Sequence, residues 1–112
     1  MPLYEERLQN ILNQAYPELE KQYELEFKKS FGAVAGYVND NIFCSCGKFG
    51  FALKLPYGDI EELLKTGAEP LKYFPNGHVK KNYSVLPVVI MRNKNKLKEL
   101  IITSTDYVTS QL

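Results

Sequence analysis

A two-layer α+β domain is predicted from three observations. Apolar residues recur at helical spacing near both ends of the chain. They alternate with polar residues through much of the middle, and turn formers punctuate the alternating stretches. The expected order is helix, three antiparallel strands, helix, two strands, helix. A helix–sheet two-layer arrangement follows, because each element has one apolar face to bury. With 112 residues the chain is expected to form one domain, residues 1–112, large enough for a real core.

Each element rests on particular residues. Leu3, Tyr4, Leu8, Ile11, Leu12 and Ala15 form a stripe at three- and four-residue spacing, and Pro17 ends that helix. "PELEKQ" suits one further turn. In "YELEFKKSF", Tyr23, Leu25 and Phe27 alternate with Glu24, Glu26 and Lys28, which marks a strand with one buried face. Gly32 and Gly36 then suggest a bulge or bend into a second strand segment. "NDN" at 39–41 is a hairpin turn, since Asn and Asp tolerate positive φ. "IFCSC" is the next strand, "GKFG" a turn and "FALKL" a further strand.

Pro56, Gly58 and Asp59 break the strand and start a helix, with Asp59 as N-cap and Glu62 completing a capping box. Ile60, Leu63 and Leu64 give its apolar face, and Gly67 closes it. "PLKYF" is a short strand, "PNG" a turn and "KKNYSVL" a strand ended by Pro87. "VVIM" fits either helix or strand. A last helix, capped by Asn93 or Asn95, places Leu97, Leu100, Ile101, Tyr107, Val108 and Leu112 on one face. Its "IITSTD" middle is β-branched, so periodicity outweighs propensity there.

The composition excludes several classes. No apolar run approaches the ~20 residues of a membrane-spanning helix. "MPLYEERLQN" has early acids and no apolar segment of a secretory signal. Two cysteines in such a chain point to a reducing compartment, and a cytoplasmic location is expected. Net charge is only +1, but its sign is segregated. Residues 1–70 carry seven Lys/Arg against eleven Asp/Glu, whereas residues 71–112 carry seven against two. All seven of the latter, Lys72, Lys80, Lys81, Arg92, Lys94, Lys96 and Lys98, precede the next acid. A segregated charge of this kind points to an acidic partner.

The turns and their neighbours also carry a resemblance. Phe31-Gly32 with Gly36-Tyr37, the hairpin "NDNIF", the alternating "FALKL", Gly67 with Pro70, the "YFPNG" turn and "NYSVLP" together resemble the TfoX N-terminal domain family, over about eighty positions. Ala33, where a second Gly is usual, and "GHV" at 77–79 depart from its pattern. The resemblance implies a five-stranded antiparallel sheet with helices, a fold also compared with type III secretion chaperones. It is to a family named for a bacterial competence regulator, in which this domain precedes a second, helical one. A stand-alone member with a regulatory or protein-interaction role is the expectation, and no catalytic residue is carried over.

Each residue that could carry chemistry also has a plain packing or capping account. Cys44 and Cys46, at i and i+2 on a strand, point to one face. Ile42 shares their parity, with Phe43 and Ser45 on the other. A disulfide between them would close a strained small ring, and structural zinc requires four ligands where only His78 offers a soft partner. Packing is the better account of both thiols. A thiol- or metal-dependent enzyme is therefore a third-ranked class; no cofactor or metal is predicted. "DIEEL" is explained by helix capping, and "GKFG" lacks the following helix of a phosphate loop.

The basic stretch 72–98 is the better functional candidate. Tyr73, Phe74 and Tyr83 interleave with its cations, so a nucleic-acid-binding accessory module is the alternative reading. The low net charge favours instead a non-enzymatic domain that binds a protein partner or a second copy of itself.

Overall fold

The computed structural model describes residues 3–30, 32–71 and 80–110. It is an α+β domain with an open antiparallel sheet. The order is α1 (Tyr4–Ala15), α2 (Leu19–Gln22), β1 (Leu25–Ser30), β2 (Ala33–Val38), β3 (Asn41–Gly47), β4 (Gly50–Lys54), α3 (Tyr57–Leu64), β5 (Glu69–Leu71), β6 (Lys80–Val85), α4 (Val88–Met91) and α5 (Lys94–Thr109). The sheet has six strands in the order β1-β2-β3-β4-β6-β5. The sixth strand comes from residues 25–38, expected to be one strand with a bend. Gly32 adopts φ +76°, so the chain reverses there, and Ser30 pairs directly with Ala33.

The second hairpin follows expectation. Asn39 and Asp40 take φ 49° and 69°, the conformation of a two-residue turn matched to strand twist. Asn39 also ties the turn to the start of β1. Its N–H donates to the Glu24 carbonyl at 2.9 Å, and its Oδ1 accepts from the Glu24 N–H at 2.9 Å.

Register decides which strand residues face the helices. Val34 pairs with Cys46 and Gly36 with Cys44, but Tyr37 then pairs with Ile42. Phe43 is thus the extra residue of a β-bulge. The bulge turns Phe43 to the same side as Cys44: a Cβ on Gly36 would lie 2.6 Å from the Cys44 Sγ and 3.3 Å from the Phe43 ring. The expected parity of Ile42 with the cysteines is therefore corrected. Phe43, Cys44 and Cys46 enter the core, while Ile42 sits beside Tyr37 on the opposite face.

α1 and α5 lie against each other and over β2, β3 and β4. Leu8 and Leu12 of α1 and Leu97, Leu100, Ile101 and Val108 of α5 join Val34, Val38, Phe43, Cys44, Cys46, Phe51 and Leu53 in one core. Burying each such side chain contributes about 1.5–3 kcal/mol. The other sheet face is lined by the small residues Ala33, Ala35, Ser45 and Ala52, all buried. It offers no exposed apolar platform at these positions.

The start of one helix differs from expectation. α3 begins at Tyr57 with Pro56 as N-cap and no side-chain cap. Asp59 thus lies inside the first turn, where its charge suits the helix dipole, and Glu62 pairs with Lys65 at 3.4 Å. Proline at the boundary starts the helix early because it has no N–H to leave unpaired. Gly67 does follow the C-terminus, at φ +99°.

α5 is capped by Asn93, whose Oδ1 accepts from the Lys96 N–H at 3.1 Å. Its unpromising middle has a specific use. Ser104, fully buried, donates its hydroxyl to the carbonyls of Phe43 at 3.0 Å and Lys54 at 2.7 Å. Those two carbonyls lie where the bulge ends the β3–β4 ladder.

Candidate functional site

Of the seven predicted basic residues, Lys72 lies outside the described residues, as do Tyr73, Phe74 and His78. Lys80 and Lys81 open β6. The remaining four sit at the α4–α5 junction. Arg92 is the C-cap of α4, and Lys94, Lys96 and Lys98 occupy the first turns of α5.

Contacts, more than burial, separate these four: the Lys96 and Lys98 side chains are 45% and 44% exposed. Arg92, Lys94 and Lys96 are exposed. Lys98 is partly buried and already engaged. Its ammonium lies 3.8 Å from Glu18 Oε2 and 5.6 Å from the centre of the Tyr16 ring. It joins α5 to the α1–α2 connection and drops out of the candidate surface. Lys96 lies 3.8 Å from Glu99 Oε1, an exposed pair of the kind that contributes little.

The three exposed cations have apolar company. Val88 and Val89, at 63% and 69% exposure, precede Arg92 by one turn. Sequence periodicity left "VVIM" ambiguous. As helix α4, only its Ile90 is buried in the core, Met91 is half-buried, and the two valines face outward. A cleft of about 280 Å³ lies between α1 and the α4–α5 junction. Ile11, Ala15, Met91 and Leu97 give it apolar walls, and Arg92 and Lys94 stand on its rim. A shallow hollow on α1 shares Ile11 and Gln14 with it, extending the groove toward Leu3 and Arg7.

The electrostatics are unusual for structure alone. A helix N-terminus carries positive partial charge, so Lys94 and Lys96 are unfavourably placed. No acidic residue lies in the first turn of α5. The Asn93 cap offsets part of this cost by satisfying a free N–H. Cations placed where the helix dipole disfavours them are candidates for a role in binding.

The cysteines lie elsewhere, under the helices. Both are free and fully buried. Burial pushes the Cys44 thiol well above its ordinary value of 9.0, against a hydrogen bond from the Gly36 backbone. Burial also raises Cys46, although the Arg7 guanidinium acts in the opposite direction. These are poor nucleophiles at neutral pH. Among the described residues, no group of three or more His, Cys, Asp or Glu is placed to hold a metal ion. No helix among them is long and apolar enough to cross a membrane.

A family model described as TfoX N-terminal domain matches residues 18–107. No curated protein and no solved structure matches the chain. The matched span holds all six strands, α4 and α5 through Tyr107. α1 precedes it, so one wall of the cleft comes from outside the matched residues.

Proposed function

The chain belongs to the TfoX N-terminal domain family, and on that premise we propose that it is a non-enzymatic regulatory domain that binds an acidic protein partner at the α4–α5 junction. One observation carries this reading. Arg92 and Lys94 stand exposed at the rim of an apolar cleft, with Lys96 exposed in the same first turn of α5 and Val88 and Val89 exposed on α4. Such a combination suits a segment with acidic and aliphatic side chains. The aliphatic groups gain burial, and the charges steer the encounter and set its orientation. The buried, raised thiols support the absence of cysteine chemistry.

The test is affinity capture from the source cells with the native chain and with Arg92→Glu/Lys94→Glu/Lys96→Glu, followed by titration of the captured protein. The expected result is an acidic partner whose affinity falls at least about tenfold in the reversed variant and declines with salt. Equal binding by the two forms overturns the proposal. A salt-sensitive gel shift, lost in the same variant, would reassign this surface to nucleic acid.

A further inference from the structure

β1 is the edge strand at one end of the sheet, and among the described residues no strand pairs with its outer side. We propose that this edge pairs with the β1 edge of a second copy of the chain, antiparallel, with Phe27 on the two-fold axis. The sheet would then run continuously through both copies.

The register follows from hydrogen-bond phase and charge. The Asn39 N–H donates to the Glu24 carbonyl, so Glu24 points its backbone inward, toward the β2 side. Groups alternate along an antiparallel strand. Glu26 and Lys28 therefore also direct their N–H and C=O to β2, while Leu25, Phe27 and Lys29 direct theirs to the open edge. A second copy must bring its own outward set opposite these three, which excludes every one-residue slip. With Phe27 at the axis, Leu25 faces the second copy's Lys29, and Glu26 faces its Lys28, twice by symmetry. Slipping the axis to Glu26 or to Lys28 sets that charge against itself, which is unfavourable.

Side chains on both faces suit this register. Glu26 is registered with Tyr37 on the outer face, and the Lys28 ammonium lies 4.6 Å from the centre of the Tyr37 ring on that face. Glu26 and Lys28 are both exposed, so each is available to the other copy. On the helix-bearing face, Leu25 and Phe27 are half-buried and border a hollow of about 480 Å³ that also touches Glu20, Lys21 and Glu24. The second copy's Lys29 would reach this hollow, whose lining includes the acidic Glu20. Charges on an edge strand often keep copies apart. Here the signs alternate at i and i+2, which makes the edge complementary to itself.

The α4–α5 surface plays no part in this contact, so each surface has its own test. Sedimentation equilibrium of the native chain should show a dimer dissociating with dilution to 12.9 kDa. Glu26→Lys and Lys28→Glu should each weaken it roughly tenfold, because two attractive pairs become repulsive. The double swap Glu26→Lys/Lys28→Glu should restore the native constant. Phe27→Cys should form an intermolecular disulfide under mild oxidation, since hydrogen-bonded antiparallel neighbours lie about 5.5 Å apart at Cα, within bridging range. Circular dichroism checks that each variant is folded. A chain that sediments as a monomer at every concentration overturns the proposal. So does a dimer indifferent to the charge swaps, or one that Phe27→Cys fails to cross-link. None of these outcomes bears on partner binding by Arg92, Lys94 and Lys96, which is read separately by capture.

Discussion

Gly36 carries more of the architecture than its size suggests. A methyl group there would overlap the Cys44 Sγ, 2.6 Å away. Cys44 is fully buried, so it has little room to retreat. Gly36→Ala should destabilise the fold by about 1–3 kcal/mol, the usual cost of overpacking a core. Adding Cys44→Ala should recover part of that loss, since the two sites share one space. Urea denaturation of the three variants measures both effects. Full stability of Gly36→Ala alone would show that the bulge beside it relaxes freely.

The thiols make a prediction with a definite sign. Both have pKa values raised above 9.0 by burial, so the folded chain keeps protons that the unfolded chain releases. Below pH 9 the two states bind these protons alike and stability is unaffected. Above it the unfolded state holds fewer, and stability falls as pH rises. Cys44→Ala/Cys46→Ala should flatten the alkaline side of a stability–pH curve. At neutral pH the native thiols should react with a thiol reagent only at the rate of unfolding.

At the scale of elements, α5 separates stability from binding. Lys94 opposes the helix dipole without an acidic neighbour in the first turn. Lys94→Glu should therefore raise stability by about 0.3–1 kcal/mol while weakening the acidic partner. Asn93→Ala removes the cap and should cost about 0.5–2 kcal/mol, with partner affinity lost only as far as folding is lost. Thermal melts paired with binding titrations distinguish the two. A Lys94→Glu chain that loses stability would contradict the dipole account.

The same helix shows where periodicity misleads. Its β-branched middle is a poor helix former in isolation, yet Ser104 and Thr105 are buried. Ser104 is needed at that point because the bulge leaves the Phe43 and Lys54 carbonyls to be satisfied from above. Conversely, Tyr107, expected on the buried face, is only half-buried. The strand count exceeds the expected five for a related reason. A glycine between two alternating stretches is compatible with a bend or with a full reversal, and only the pairing of Ser30 with Ala33 distinguishes them.

For the whole molecule, α1 is as much part of the domain as the matched family span. Leu8, Leu12 and Ala15 are buried, and the two leucines alone account for roughly 3–6 kcal/mol of burial. Domains of this size are stable by only about 5–15 kcal/mol. A chain starting at Glu18 should therefore lose cooperative thermal unfolding, although it retains every strand. A sharp, native-like transition in that truncation would show that the sheet and α5 suffice.

From the sequence by itself came the α+β class, the helix at each end, the Asn-Asp hairpin, the Gly67 stop and the concentration of cations after residue 71. These are local properties, set by side-chain periodicity and by which residues tolerate unusual backbone angles. Tertiary structure alone decided the bulge at Phe43, the separation of Lys98 from its neighbours and the outward turn of Val88 and Val89. Each depends on what lies across the strand or beneath the helix, and such partners are distant in the chain. The basic stretch therefore divides by environment: Lys98 is drawn into contact with Glu18 and Tyr16, while Arg92, Lys94 and Lys96 remain on the surface, the first two at the rim of an apolar cleft.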